Sequence, residues 1–379
     1  MNQIKKLVVG TAFPRLLAGL LRNWSWALLL LFVLSIKFFA ADAARVEFYY
    51  SQAFYPVLAG TMRGLLGWLP LSFGDILYGL VGIYCISKFI ALLMKLTTRS
   101  IPLPRWRMVF GKLLFLFLVI YVLFNLLWGL NYNRLGIGSQ LELTPSNVSK
   151  EEDIDTLTVR LLAKANEYSI LVDTTTRQDF CKKEKLFKAA QLEMQNASSK
   201  YPFLKAKLGA VKPSVYSYAG NYLGFQGYYN PFTGEGQVNT TIPVFLRPFV
   251  TTHEIAHQLG YAKESEANFV GFLVCREASE PLFRYSAYLD MYMYAHAILF
   301  QMDSARAQEV KLQRNSQVQS DIQALKVFYQ QYQTPLEELV MQGYDYFLQA
   351  NEQPQGKQSY SQVLRWLMAW VRKNGWEAL

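Results

Sequence analysis

Residues 251–275 read TTHEIAHQLGYAKESEANFVGFLVC, two helical patterns separated by one glycine. Side chains four apart share a helix face, so His253 and His257 can present two imidazoles to one metal ion. Glu254 projects about 100° around from His253, near enough to act on a metal-held water without being a ligand. Gly260 can end the first helix in the left-handed conformation that other residues resist. The next helix then starts near Ala262 and brings acidic residues back toward the histidines. A catalytic zinc site needs three protein ligands and one open position. Glu264 is the expected third ligand, with Asn268 one turn on hydrogen-bonding a ligand histidine, and Glu266 is its rival. The chain has only three histidines, so finding two of them at this spacing around a glutamate favours Zn2+ binding over coincidence.

Upstream, KPSVYSYAGNYLGFQGYYNPFTGEGQVNTTIPVFLRP (212–248) is rich in Tyr, Phe and Gly and predicts two or three short strands joined by turns. An exposed edge there could pair with an extended peptide, or its aromatics could be core. Helices resume at Pro248, a residue suited to a first turn. The third histidine, His296, lies in MYMYAHA beside Tyr292 and Tyr294 and is a candidate catalytic residue as oxyanion donor, against the alternative that all three merely pack. Before the sheet, helices are expected from a Ser149 cap through residue 172 and over 179–198, and 131–149 reads as a polar linker.

The first 130 residues have another character. The chain is 379 residues long, 52% hydrophobic and only 17% charged, and the apolar excess is concentrated here. Three runs meet the length of about 18 apolar residues that a bilayer crossing requires: 24–44, 76–94 and 112–130. The first could instead be a signal peptide, since basic residues precede it and it ends in AADAA. A half-apolar stretch within 45–75 predicts an interfacial or re-entrant helix. Lys5, Lys6, Arg15 and Arg22, and the loop bearing Lys95, Arg99, Arg105 and Arg107, should lie in the cytoplasm. An odd number of crossings then puts residues 131–379 outside it. The expected architecture is an α-helical membrane anchor of three spans (1–130) carrying a mainly helical α+β outer domain with a small sheet (131–379). The motif helix has no apolar run of bilayer length, so the site is expected outside the membrane, near its surface.

The net charge of +10 follows largely from those cytoplasmic flanks, with the lipid bilayer as partner and no nucleic-acid motif. A transporter is disfavoured, because the spans carry no midplane charge pairs or broken-helix symmetry. Cys181 and Cys275 could form a disulfide in an oxidising compartment or remain buried thiols.

The order of membrane segments, GYYNPFTGEGQVN, THEIAHQLGYAKESEANFVGFLVC and a late GKQSYSQV resembles, over nearly the whole chain, the bacterial membrane-protein family labelled domain of unknown function 3810. The site is also similar to zincin metallopeptidases of the gluzincin type. That resemblance implies His253 and His257 as zinc ligands, Glu254 as general base and Glu264 as third ligand supported by Asn268. The gap from Gly260 to the glutamate is shorter than in well-studied gluzincins, and Lys263 stands where metzincins have a third histidine. The expected function is a zinc-dependent peptidase in the bacterial inner membrane, N-terminus cytoplasmic and outer domain periplasmic, hydrolysing a peptide or protein of the envelope. The alternative is a non-catalytic envelope scaffold with a structural or vestigial zinc site.

Overall fold

The apolar runs fold as helices whose ends are held by the residues around the motif. The computed structural model describes residues 24–98, 103–145, 151–206, 209–356 and 361–379. The basic N-terminal arm, Arg99, Ser149 and part of the late GKQSYSQV stretch lie outside the described residues. The structure is mostly helical, with one small mixed sheet.

The first apolar run is helix α1 (Trp24–Ala40), whose 17 residues extend about 25 Å, short of a roughly 30 Å hydrocarbon core. Asp42 then accepts from the backbone of Ala44 and Arg45, capping a new helical segment, and the path bends by 99° into Ala43–Leu66. That segment contains a π-helical stretch, Val46–Phe54, followed by α2 (Tyr55–Leu66). The expected straight first span is therefore half of a bent pair, and the expected re-entrant helix is the other half. Two further helices, α3 (Phe73–Thr98) and α4 (Leu103–Leu127), contain runs long and apolar enough to cross a membrane, Phe73–Met94 and Trp106–Leu127. Two or, counting the bent pair, three apolar helices are thus compatible with a membrane anchor. Their exposed Leu80, Ile83, Phe89, Phe110 and Leu116 form the apolar surface that such an anchor needs.

The expected linker is structured. Asn131, Tyr132, Arg134 and Ile137 are buried, because Arg134 makes a 2.6 Å ion pair with Glu47 of the π-helical stretch and donates to the Gly260 carbonyl. A polar, glycine-containing sequence reads as loop, yet this ion pair, closed in on both sides, folds it against the motif turn.

Helices α5 (Glu151–Ser169) and α6 (Lys183–Lys200) precede a sheet of β1 (Val211–Pro213), β2 (Gly227–Asn230) and β3 (Glu235–Val238), in the order β1-β3-β2. β1 runs parallel to β3, with Lys212 opposite Gln237, and β2 runs antiparallel to it, with Tyr229 opposite Gly236, leaving β2 as an edge. Next come α7 (Arg247–Gln258), α8 (Glu264–Glu277), α9 (Pro281–Met302), α10 (Ser316–Tyr332), α11 (Pro335–Ala350) and α12 (Val363–Asn374). As expected, Pro248 stands in the first turn of α7. Nearly every side chain of α7 and α8 is buried, and they share one core with α5, α6, α9 and α12. Cys181 is exposed, while Cys275 is buried against Thr252 and burial pushes its thiol up to about 12, so the two do not form a disulfide.

Sheet and anchor are tied by charge. Buried Glu235 accepts from the backbone N–H groups of Phe73 and Gly74, satisfying donors at the start of α3 where the helix dipole favours an anion. Asp75, one residue on, accepts from the Val215 N–H and the Tyr228 hydroxyl.

Candidate metal centre

Helix α7 presents His253, Glu254 and His257, and the chain must reverse at once to bring α8 beside them. It does so through a Schellman turn, in which the Gly260 N–H donates to the His257 carbonyl at 3.0 Å and the Tyr261 N–H to the Ala256 carbonyl at 3.2 Å. Gly260 has φ +87°, and a Cβ there would lie 3.0 Å from both Asn131 Oδ1 and the Tyr55 ring. The turn also aims the Tyr261 carbonyl at His257 Nδ1, 2.7 Å away. A proton on Nδ1 donating to this carbonyl leaves Nε2 as the free lone pair, the usual arrangement for a metal-binding histidine. Gly260→Ala is expected to cost about 1–2 kcal/mol from the left-handed backbone alone. It should lower the melting temperature of the purified protein by several degrees. An unchanged melting temperature would show that the turn does not depend on glycine.

Glu264, the first residue of α8, places Oε2 3.2 Å from His253 Nε2 and 3.5 Å from His257 Nε2. Tetrahedral bonds of about 2.0–2.1 Å set ligand atoms about 3.3–3.4 Å apart, so these separations fit three ligands around one ion. All three residues are buried, with their ligand atoms within 4.8 Å of one another. Glu264 Oε2 makes no hydrogen bond of good geometry although buried, which is costly without an ion to satisfy it. The donor set, two imidazoles and one carboxylate, suits a divalent transition metal, zinc and iron among them. Its other oxygen, Oε1, accepts from the Tyr344 hydroxyl at 2.8 Å, and its backbone N–H donates to Gln353. Asn268 is buried beside His253, the neighbourhood expected of it. Glu266 points elsewhere: its carboxylate accepts from the Ile137 N–H at 3.2 Å beside Arg134. Of the two rivals, only Glu264 is brought to the histidines.

Glu254 is 3% exposed, and its Oε2 has no hydrogen-bond partner. It fits only because β2 and β3 offer glycines opposite it: a Cβ at Gly227 would overlap its carboxylate, and one at Gly236 would lie 3.2 Å from its own Cβ. Burial pushes its carboxyl up to about 8 despite His257. Burial opposes charge on His257 too, but the Glu264 carboxylate outweighs it and lifts that imidazole to about 9. Burial would likewise raise Glu264, but the two imidazoles hold it below the usual carboxylate range. Burial, and then the charge of His257, holds His253 below the ordinary value.

The structure does not bring His296 to this site. Its Nε2 bonds the Ala307 carbonyl at 3.1 Å and its ring packs on Tyr292, whose hydroxyl accepts from Arg314. Tyr294 points the other way and, with Asn268, lines a cavity beside His253 and Glu254. Half of the eight aromatics of 212–248 are cleft wall, since Phe225, Tyr228, Tyr229 and Phe232 line a cavity of about 680 Å³ floored by the four motif residues, while Phe245 is core and Tyr216, Tyr218 and Tyr222 are exposed.

The anchor takes part in the site as well. The Trp128 indole, just past α4, donates to the His257 carbonyl at 3.2 Å. From the first bent pair, the Tyr55 hydroxyl and Arg63 guanidinium both donate to the Gln258 carbonyl, at 3.1 and 3.0 Å. These contacts satisfy carbonyls at the C-terminus of α7 that the helix itself leaves open. Trp128, Tyr344 and Gln353 escaped the sequence reading, since they lie 75 or more residues from the motif and follow no spacing rule.

No curated protein and no solved structure matches the chain. Residues 50–368, which include α2, both long apolar helices, the sheet and every residue of the metal centre, match the family described as "Protein of unknown function (DUF3810)", and the chain belongs to that family.

Proposed function

We propose that this protein is a membrane-anchored zinc metallopeptidase of zincin type, with His253, His257 and Glu264 holding the ion and Glu254 as general base. The observation that carries this reading is the convergence of those four buried side chains, from two helices, on the floor of one cavity. When bound, zinc would supply Lewis acidity and lower the pKa of a water toward about 7. Glu254, with one carboxylate oxygen lacking a partner, would take the water's proton and deliver it to the leaving amine. His257 and Glu264 would keep their orientation through the Tyr261 carbonyl and Tyr344.

Edge strand β2 would align the substrate. The Asn239 N–H donates to the Gln226 carbonyl, and antiparallel alternation then turns the backbone groups of Gly227 and Tyr229 away from β3. Both residues line the cavity, so an extended peptide could add to this edge above the ion.

The anchor geometry supports an inner-membrane protein with this site on the periplasmic side. The start of α3 is held by Glu235 and the end of α4 by the Trp128–His257 contact, so the basic connection between them lies at the far ends of both helices. That placement agrees with a cytoplasmic connection under the positive-inside rule.

The test is cleavage of a peptide library by the purified full chain before and after stripping with 1,10-phenanthroline. Cleavage lost on stripping and regained with zinc is the expected result. A zinc-loaded, folded chain that cleaves nothing would favour a scaffold whose metal is structural.

A further inference from the structure

The metal centre lies where two cavities meet, one mostly apolar and the other of mixed lining. The larger, of about 680 Å³, falls within the range of sites that enclose small organic ligands. Its wall away from the sheet comes from α11, with Tyr344 and Phe347, and from the apolar helices, with Tyr78 of α3 and Phe117, Ile120 and Phe124 of α4. Tyr78, Phe117 and Ile120 remain 39%, 64% and 46% exposed, so this wall is continuous with the apolar outer surface of the two helices. The smaller cavity, of about 210 Å³, shares His253 and Glu254 with the first and sets Gln226, Asn268, Asp290 and Tyr294 beside Phe249, Val250 and Met341. A peptide of ordinary composition gives no reason for one side of the reacting centre to be hydrocarbon and the other to hold a carboxylate and amides.

We propose that the substrate is an N-acyl amphiphile drawn from the bilayer, its hydrocarbon chain lying against α4 and its polar, amine-side head directed toward Asp290 and Tyr294. The proposal rests on the hydrolase reading above and names the substrate class of that site. In the reaction the amide C–N bond breaks, the carbonyl carbon gains the oxygen of water, and Glu254 carries one water proton to the departing amine. The products are a carboxylic acid, left in the apolar cavity, and an amine facing the carboxylate of Asp290. Lipid-like walls accept the apolar tail from the bilayer without exposing it to water, and the half-buried carboxylate of Asp290 selects a head group that can donate hydrogen bonds to it.

Trp128 lines the larger cavity and gives a readout independent of turnover. The zinc-loaded full chain in nanodiscs is titrated with N-(9,10-dibromopalmitoyl)ethanolamine, whose hydroxyl can donate to Asp290 and whose bromines quench nearby indoles. Quenching is compared with that of Trp128→Phe, and competed with N-palmitoylethanolamine and N-acetylethanolamine. The expected result is saturable quenching that is smaller in Trp128→Phe and is competed at least about tenfold better by the C16 compound than by the C2 compound. That is a modest ratio, since each methylene is worth about 0.8 kcal/mol from water but less from a bilayer. If Trp128→Phe fails to fold, the competition alone decides. Equal competition by both compounds, or no saturable quenching in a chain that holds zinc, overturns the amphiphile proposal and leaves the metal centre standing. A chain that holds no zinc but is still quenched and competed in this order keeps the lipid-binding cavity and removes the hydrolase reading.

Discussion

Glu254→Gln is expected to retain zinc at the wild-type level and to lose the proposed hydrolysis by roughly 10²–10⁴-fold, the range a positioned general base contributes. The substitution is close to isosteric, so the contacts with Gly227 and Gly236 persist and the cavity keeps its shape. An amide in place of the carboxylate cannot accept the water's proton. Because Glu254 is not among the three grouped ligands, its loss should leave metal affinity almost untouched. The check is a parallel measurement of zinc content and of kcat/KM on any substrate the library yields. Equal loss of both would make Glu254 a ligand or a structural residue. Retention of both would remove it from the chemistry.

Glu264→Ala is expected to abolish tight zinc binding, whereas Glu266→Ala should leave it within a few-fold of wild type. The contrast is sharp because the two residues stand two positions apart on α8, about 200° around the helix, and so meet different partners. Glu264 meets both histidines, while Glu266 accepts from Ile137 and neighbours Arg134. Losing Glu266 leaves the buried Ile137 N–H without its acceptor, at about 1–3 kcal/mol, so that variant is less stable without being metal-free. Tyr344→Phe falls between, with a loss of roughly 10–100-fold in affinity, as for an outer partner that orients a ligand. Competition titration with a chromophoric zinc chelator ranks the three. Zinc lost with Glu266 and kept without Glu264 would reverse the assignment.

What could be read from the sequence was local. His253, Glu254, His257 and Gly260 are tied by helix periodicity and one turn, and Glu264 follows within a few residues, so no long-range packing had to be known. The choice against Glu266 needed Arg134 and Ile137, about 130 residues earlier, which no spacing rule connects to α8. Rarity drew attention to His296, but α9 sorts its residues by face. Asp290 and Tyr294, four apart, look toward the metal centre, while Tyr292 and His296, also four apart, look toward Ala307 and Arg314. The anchor was legible as apolar runs, but its bend at Asp42 and the burial of the supposed linker depend on one cap and one ion pair. Nor did hydropathy reveal that α4 serves both as an apolar membrane-type helix and as a wall of the site.

Elemental analysis of the purified full chain, alongside His253→Ala and His257→Ala, tests the metal centre most directly. About one zinc per wild-type chain, removed by chelation, regained on resupply and missing from both variants, is the expected result. A folded wild-type chain that takes up no zinc on resupply, or histidine variants that hold as much as the wild type, would contradict it.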